Sequence, residues 1–226
     1  MSNSVTYTAV LDVQRETVEF LSGLLAAHRA KLGTRAGTRA LGPFKQAVLV
    51  LRWFLDGTRV RQLAADNAIG KSTAYNYLHE GIDVLAAQAP DLATALAEAQ
   101  RDGAGHLNLD GTVLRTDRVA TPGPNGADLW WSGKHKHHGG NVQVLSDPEG
   151  WPLWTSPVRP GREHDTTCAK AADGLLAMLE QAATQQGLLT LTTFKALRRV
   201  SLAPWRIGGI VKAAHVLLHL ERGRHT

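Results

Sequence analysis

The sequence predicts an α/β protein in two parts, an all-helical part over residues 1–100 and a strand-containing part over residues 101–226. Up to about Gln100, apolar residues recur at helical spacing, whereas from His106 onward short apolar runs are bounded by turn residues. With 226 residues and 43% hydrophobic content, the chain is long enough to bury a core.

The helical part divides into segments at glycines and at one polar loop. We expect helices over residues 15–28, 43–55, 59–66 and 71–87. A loop rich in Gly, Thr and Arg, residues 33–42, separates the first two, and Pro43 suits the first turn of the second. The pair Asp56-Gly57 ends that helix, and a short turn around Ile69 joins the last two.

The strand-containing part alternates short apolar runs with one long helical segment. We expect strands over residues 106–109, 141–145, 153–158 and 188–192. Residues 165–186 lie between the third and the fourth and have helical periodicity. Strands followed by a crossover helix are typical of an α/β sheet domain.

The last two predicted helices and their turn form the pattern of a helix-turn-helix. In this motif the second helix enters the major groove, so one side packs inward and the other is polar. The inward residues are Leu63, Ala64, Ala74 and Leu78, with Ile69 in the turn. The residues predicted to contact DNA are Arg59, Arg61, Lys71, Ser72, Thr73, Tyr75 and Asn76. The alternative is an ordinary helical bundle, in which consecutive amphipathic helices with a short turn are common.

Asp110 ends the first predicted strand, within LNLDGT, and precedes a hairpin predicted through Val113 and Leu114. A carboxylate in that position suits a hard cation with oxygen ligands, such as Mg²⁺. Two such ions activate the attacking oxygen and stabilise the leaving oxygen during phosphodiester cleavage. The alternative for a single Asp after a strand is a residue that begins a turn.

Several motifs occur in one order along the chain: LNLDGT, SGKHKHHGGNVQV, PGREHD and FKALRR. This series, over nearly the whole chain, resembles bacterial insertion-sequence transposases of the DDE superfamily, in the group that includes the Harbinger-type nucleases. The resemblance implies an RNase H-like catalytic domain, a divalent metal site (Mg²⁺ or Mn²⁺) of three acids, and cleavage and joining of double-stranded DNA at transposon ends. It matches Asp110 to the first acid, a catalytic residue and metal ligand.

The two later acids of that family are missing. In the family the second acid follows the strand that matches residues 188–192, within an Asp-x-Gly-Tyr stretch, and a Glu lies just before the FKALRR block. Here that strand runs directly into TFK, and after Asp173 the only acids are Glu180 and Glu221. We expect an internal deletion, a truncated RNase H-like domain and impaired catalysis, because one carboxylate cannot fix two ions.

Two further groups of residues have competing interpretations. Asp165, in PGREHD, either supplies a second carboxylate to the metal or N-caps the following helix. In the basic run over residues 134–138, Lys134 and Lys136 are predicted to contact DNA phosphates, and a solvated charged loop is the alternative. The histidines of this run lack ligands at zinc-finger spacing. The tryptophans at positions 130, 131, 151 and 154 are predicted to pack in the core and on the sheet.

Composition limits the class of partner and the compartment. Twenty-five Lys and Arg against 20 Asp and Glu give a formal charge of +5, which favours a polyanionic partner. The single cysteine, Cys168, excludes an internal disulfide and predicts a small buried residue in a reducing compartment. With no signal-peptide pattern and no apolar run of about 18 residues, we expect a cytoplasmic protein with no membrane contact.

Three hypotheses follow for function. The first is a transposase-family protein that binds DNA and has lost cleavage. The second is a non-catalytic helix-turn-helix regulator that inhibits an intact transposase, with that transposase or a second copy of the chain as partner. The third is a product that misfolds, because a missing connector exposes apolar surface and strand edges.

Overall fold

The computed structural model describes residues 10–104, 106–117, 121–172, 175, 204–221 and 223. The predicted strand over residues 188–192 and the FKALRR block lie outside these residues. No helix in the described part is long and apolar enough to cross a membrane.

Four of the five helices of the first half agree with the predicted ones to within a few residues, and the last was not among the predicted segments. They are α1 (Arg15–Lys31), α2 (Pro43–Asp56), α3 (Val60–Asp66), α4 (Lys71–Ala86) and α5 (Leu92–Arg101). Pro43 stands in the first turn of α2, as predicted, and Gly57 ends that helix in the left-handed conformation, with φ 66°. The side chain of Asp91 caps α5 by accepting a hydrogen bond from the Thr94 amide.

The second half contains an antiparallel sheet built on one long strand. Its strands are β1 (Asn108–Arg115), β2 (Trp131–Ser132), β3 (His137–Ser146), β4 (Pro152–Thr155) and β5 (Arg159–Pro160). Each of the other four pairs with β3. In β1 and β3 the predicted strands are extended, because their ladder continues from Asn108 opposite Ser146 to Arg115 opposite Gly139.

The helix that follows the sheet is shorter than its periodicity predicts. It runs over α6 (Asp165–Ala171) and ends at Ala172, which is extended with ψ 116°. The prediction of one continuous helix over residues 165–186 is therefore wrong at Ala172. Both Ala172 and the buried Leu175 contact the apolar cluster on one side of the sheet, and the break brings both onto it.

The C-terminal helix α7 (Ile207–Glu221) packs between the sheet and the helices of the first half. A short 3₁₀ turn, Pro204–Arg206, precedes it, and Arg206 donates a hydrogen bond of 2.8 Å to Asp83 of α4. One apolar core contains residues of helices α1, α2, α3, α4 and α7 together with the sheet residues Leu114, Val142 and Val144. Thus α7 packs across the domain boundary predicted at residue 100.

A second apolar cluster covers the other face of the sheet. It joins α5 and α6 to Leu145 of β3 and Trp154 of β4. The sheet therefore separates two layers, with α7 on the face of Val142 and Val144 and with α5 and α6 on the face of Leu145. Side chains on opposite faces of β1 therefore contact different layers and do not contact each other.

Candidate functional site

Asp110 lies within β1 and not at its end. It pairs with Val144, and the ladder continues through Val113 opposite Asn141. The hairpin predicted at Val113 and Leu114 is therefore wrong, because β3 is long enough to bond β1 up to Arg115. The backbone groups after Asp110 are bonded in the ladder and do not turn.

The alternation of side chains places Asp110 on the face that carries α7. Asn108, Thr112 and the buried Leu114 share that face of β1. Across the ladder, Ser146 stands opposite Asn108. The row thus sets a half-buried carboxylate among small polar side chains at the edge of the core.

Three buried oxygens of this face have no hydrogen-bond partner among the described residues: Asn108 Oδ1, Ser146 Oγ and Thr155 Oγ1. Thr155 pairs with Val144, the residue that also stands opposite Asp110. Buried polar atoms are normally bonded, so unpaired oxygens in a row indicate a place for water or a cation. Oxygen atoms are also the donors that Mg²⁺ and Mn²⁺ prefer.

The described residues do not fit a site for two divalent ions. Asp110 is the one carboxylate on this stretch of β1, and within the described ranges no group of three His, Cys, Asp or Glu residues is close enough to hold a metal. Hydroxyl and amide oxygens alone leave the charge of two such ions uncompensated. The described residues therefore do not support a metal-dependent catalytic step at this position.

Asp165 lies on the opposite side of β1. A β-carbon placed on Gly111 would lie 2.7 Å from Cβ of Asp165. The Asp165 side chain therefore packs directly on the glycine, which has no side chain of its own. Gly111 and Asp110 are adjacent in the strand and face opposite ways. The two carboxylates thus stand on different faces, and the metal-ligand role of Asp165 stays a prediction from the sequence.

The alternative role predicted for Asp165, the N-cap of α6, is wrong. His164 occupies the N-cap, and Asp165 is the first residue of the helix. Its Oδ1 accepts a hydrogen bond of 2.7 Å from Asn141 Nδ2, and its Oδ2 lies 3.7 Å from Lys134 Nζ. The carboxylate is hydrogen-bonded to β3 because the buried Asn141 amide of that strand lies next to it.

A buried amide network connects β3 to the start of α6. Gln143 Nε2 donates to Asn141 Oδ1 at 3.0 Å, and Asn141 Nδ2 also donates to the Glu163 carbonyl at 3.2 Å. Both amide side chains are almost fully buried. The network fixes α6 against the sheet, since each amide has a partner on the adjacent element.

Cys168 of α6 is buried, as predicted, and is not set up as a nucleophile. Burial, followed by the nearby charge of Glu163, raises the pKa of its thiol to about 11. The thiol therefore stays protonated at neutral pH.

A cleft opens on the Asp165 side of the sheet, between the turn after β2 and residues 161–165. Its volume is about 520 Å³, and its lining includes Trp131, Lys134, Asn141, Arg162 and Asp165. Lys134 and Lys136 are both exposed in the turn, and Lys136 takes a positive φ of 55°. Lys134 faces the cleft together with Asp165.

His138 and Asp128 form an ion-pair geometry beside this cleft, with Nε2 and Oδ2 3.0 Å apart. Burial acts to raise the pKa of Asp128, but hydrogen bonds from the Trp130 amide and from His138 outweigh it and lower the pKa. His138 thus has an acidic partner inside the fold.

The helix pair α3–α4 divides its residues as the sequence predicts. Leu63, Ala64, Ala74 and Leu78 are buried, and Ile69 packs on the core from the turn. Arg59, Arg61, Lys71, Ser72 and Asn76 are exposed, and Thr73 and Tyr75 are half-buried. The residues predicted to contact DNA are therefore accessible to solvent, and together they are called the α3–α4 surface.

Charge on this surface is uncompensated. Arg59, Arg61 and Lys71 have no ion-pair partner in the described part of the chain, and the first turn of α4 holds no acid. Asp66, the acid of α3, is bonded to Arg52 at 2.7 Å. Lys71 lies over the ring of Tyr75, at 5.9 Å from its centre. The surface is thus positive and carries one aromatic ring.

Residues 109–206 match the family model of the DDE superfamily endonucleases. The match spans less than half of the 226-residue chain and includes Asp110, β3 and the start of α6. No curated protein and no solved structure matches the chain significantly. The α3–α4 pair precedes the matched segment, whereas Asp110 and the cleft lie within it.

Sequence reasoning missed two features of this endonuclease-like segment. It predicted packing for Trp131, which is 41% exposed, while Trp130 and Trp154 are buried as predicted. It also gave no role to Asn141 and Gln143, whose spacing of two residues in an apolar strand was an available signal for a polar pair on one face.

Proposed function

We propose that this protein acts in DNA transposition as a DNA-binding member of the DDE superfamily whose strand cleavage is impaired. The observation that carries the proposal is the match of residues 109–206 to the DDE superfamily endonucleases. These enzymes use divalent metal ions on DNA. The proposal includes a bacterial insertion-sequence origin in the Harbinger-like group and an RNase H-like domain shortened by an internal deletion.

The α3–α4 surface supports double-stranded DNA as the partner. It has the division of a helix-turn-helix, with an apolar inner side and a polar outer side that carries Lys71, Ser72 and Asn76. The unpaired cations at Arg59 and Arg61 suit the phosphates beside the groove. Asn76 suits the edge of adenine in the major groove.

The small number and the placement of the acidic residues support impaired cleavage. Asp110 stands without a second carboxylate on its face of the described sheet, and Asp165 faces the other way. Beyond the described segment that ends at Leu175, the sequence up to Pro204 has one acid, Glu180. A two-ion reaction needs more carboxylates than these.

A second function uses the same surfaces. If the chain occupies transposon ends without cutting them, it inhibits an intact transposase that recognises the same ends. The observation that favours this regulator is the combination of a well-packed α3–α4 pair with the absence of a metal-binding group of acids among the described residues. Competition with an intact transposase on one DNA end distinguishes an inhibitor from a remnant with no effect.

The test of DNA recognition is fluorescence anisotropy with two labelled duplexes, one carrying the sequences that flank the gene and one of random sequence. Lys71→Ala is expected to weaken binding to both and to reduce the salt slope by about 1. Asn76→Ala is expected to weaken only the flank duplex, by about 1–3 kcal/mol. The matched control is Lys45→Ala, an exposed lysine on α2. Equal affinities for all three variants would show that α4 does not bind DNA.

A further inference from the structure

The cleft beside Asp165 has an aromatic side chain in its lining, and this cleft is separate from the α3–α4 surface. Trp131 lines it and is 41% exposed. Its ring meets His138 edge-to-face, with centres 5.1 Å apart and planes at 69°. Since His138 is itself held by Asp128 at 3.0 Å, the tryptophan is positioned while much of its surface stays open.

Exposed cationic groups stand around the same cleft. Arg162 is exposed, and its guanidinium donates a hydrogen bond of 3.3 Å to the Ala127 carbonyl. Lys134 has a side chain that is 72% exposed. His135 and His164 are exposed and add two further ring donors at the rim. These groups are able to reach an anion in the cleft.

The acids that line the cleft each have a partner within the fold. Asp128 is paired with His138, and Glu163 is paired with Arg159 at 2.5 Å. Asp165 accepts a hydrogen bond of 2.7 Å from Asn141 and lies 3.7 Å from Lys134 Nζ. Arg159 and Lys134 thus offset the charges of Glu163 and Asp165, whereas the guanidinium of Arg162 has no acidic partner among the described residues. An anionic ligand gains from this balance more than a cationic one.

An exposed indole beside guanidinium and ammonium groups is the combination that binds an unpaired nucleotide. Bases stack on aromatic side chains, and cations hold the phosphates that link them. A base inside a duplex already stacks on both sides, so it must leave the helix before it meets Trp131. A volume of about 520 Å³ suits a small ligand of this size class.

We propose that this cleft binds single-stranded DNA, with one base stacked on Trp131 and the adjoining phosphates held by Arg162 and Lys134. The proposal rests on the proposed function for its choice of DNA, but it uses a surface separate from α3–α4. It assigns strand ends or unpaired nucleotides to the cleft and paired DNA to the helices.

The experiment measures anisotropy of a labelled twelve-nucleotide thymidine strand with the full chain and its variants. Trp131→Ala is expected to weaken binding roughly 5- to 140-fold, the range that loss of one stacked base produces. Trp131→Phe is expected to lose less, because the phenyl ring still stacks. Trp205→Ala is the matched control, since Trp205 is 64% exposed and lies outside the cleft.

A second probe isolates stacking from charge. A strand of the same length with abasic sites keeps the phosphates and removes the bases, so its affinity is expected to be equal for wild type and Trp131→Ala. Arg162→Ala is expected to weaken both strands. Thermal melting of each variant checks that the fold is intact, which is expected because the two tryptophans are exposed.

Three results would overturn the proposal: no binding of the thymidine strand, equal affinity for Trp131→Ala and Trp205→Ala, or tighter binding of the matching uridine RNA. Failure of the proposed function is distinguishable from these. If Lys71→Ala leaves duplex binding unchanged while Trp131→Ala weakens strand binding, the helix-turn-helix assignment fails and the cleft stands. If instead Lys71→Ala weakens duplex binding while Trp131→Ala leaves strand binding unchanged, the cleft proposal fails and the helix-turn-helix assignment stands.

Discussion

Asn141 Nδ2 donates a hydrogen bond of 2.7 Å to Oδ1 of Asp165, and this bond holds the carboxylate against Gly111 on the side of β1 away from Asp110. Asp110 and Asp165 therefore lie on opposite faces of β1 and have different surroundings. Asp165 links α6 to the sheet through its hydrogen bond with Asn141. Asp110 has only neutral hydroxyl and amide oxygens beside it on its face of the described sheet. The impaired cleavage that we propose depends on this separation.

The close packing of Asp165 on Gly111 predicts the effect of a single methyl group. Gly111→Ala places Cβ 2.5–2.7 Å from the Asp165 side chain, so α6 or β1 must shift. We expect a loss of about 1–3 kcal/mol in the free energy of unfolding, as for overpacked cores. Urea denaturation measures it. Gly133→Ala is the control, because a β-carbon there meets nothing within 4 Å, and equal losses in the two variants would contradict the packing.

The buried amide of Asn141 predicts a different kind of loss. Asn141→Ala removes the donor to Asp165 and the acceptor of Gln143, which leaves Gln143 buried with a missing partner. Unpaired buried polar groups cost about 1–3 kcal/mol each. We expect that order of destabilisation in urea denaturation, against less than about 0.5 kcal/mol for Gln100→Ala on the exposed surface of α5. A neutral Asn141→Ala would show that the network does not anchor α6.

The buried histidine of α7 predicts sensitivity to acid. Burial, and then the neighbouring His219, lowers the pKa of His215 to about 3. Between this value and the unfolded pKa of about 6.5, the unfolded chain binds a proton that the folded chain does not. The free energy of unfolding is therefore fully retained above pH 6.5 and falls with decreasing pH, by up to about 1.4 kcal/mol per pH unit from this group.

Denaturation midpoints from pH 7 to pH 4 measure this slope. His215→Leu is expected to flatten it, whatever its effect on stability at pH 7, while the exposed His135→Gln is expected to leave it unchanged. A slope that survives in His215→Leu would place the acid sensitivity elsewhere.

The single thiol provides a probe of how firmly α6 is docked. The pKa of Cys168 is raised to about 11 by burial and by Glu163, and the side chain is 2% exposed. At pH 8 we expect a thiol reagent to label the folded chain at least ~100-fold more slowly than the chain in guanidinium chloride. Comparable rates would mean that α6 opens freely. Since Cys168 is the only cysteine, the signal comes from one site.

The helices were predictable because each has a local cause. Apolar spacing, Pro43 in a first turn and Gly57 after a last turn set the bounds of α2 without reference to the rest of the fold. The same holds for the α3–α4 pair, whose inward residues are the small and apolar ones. Asp110 was found from its place after an apolar run, although its strand is longer than that run.

The site geometry was not predictable, because it depends on pairing between distant strands. The extension of β1 past Asp110 follows from the length of β3, and the position of Asp165 follows from an amide on that strand. The exposure of Trp131 follows from where the sheet ends. Hydrophobic periodicity contains no information on any of these three contacts.

We propose above all that this chain binds DNA and does not cut it. The direct measurement is strand cleavage of a duplex carrying the flanking sequences by purified protein, with Mg²⁺ or Mn²⁺ and with Asp110→Ala as control. We expect a protected footprint on the duplex and no metal-dependent cleavage above that of Asp110→Ala. Metal-dependent cutting that Asp110→Ala abolishes would contradict the claim and show that other ligands complete the acid set.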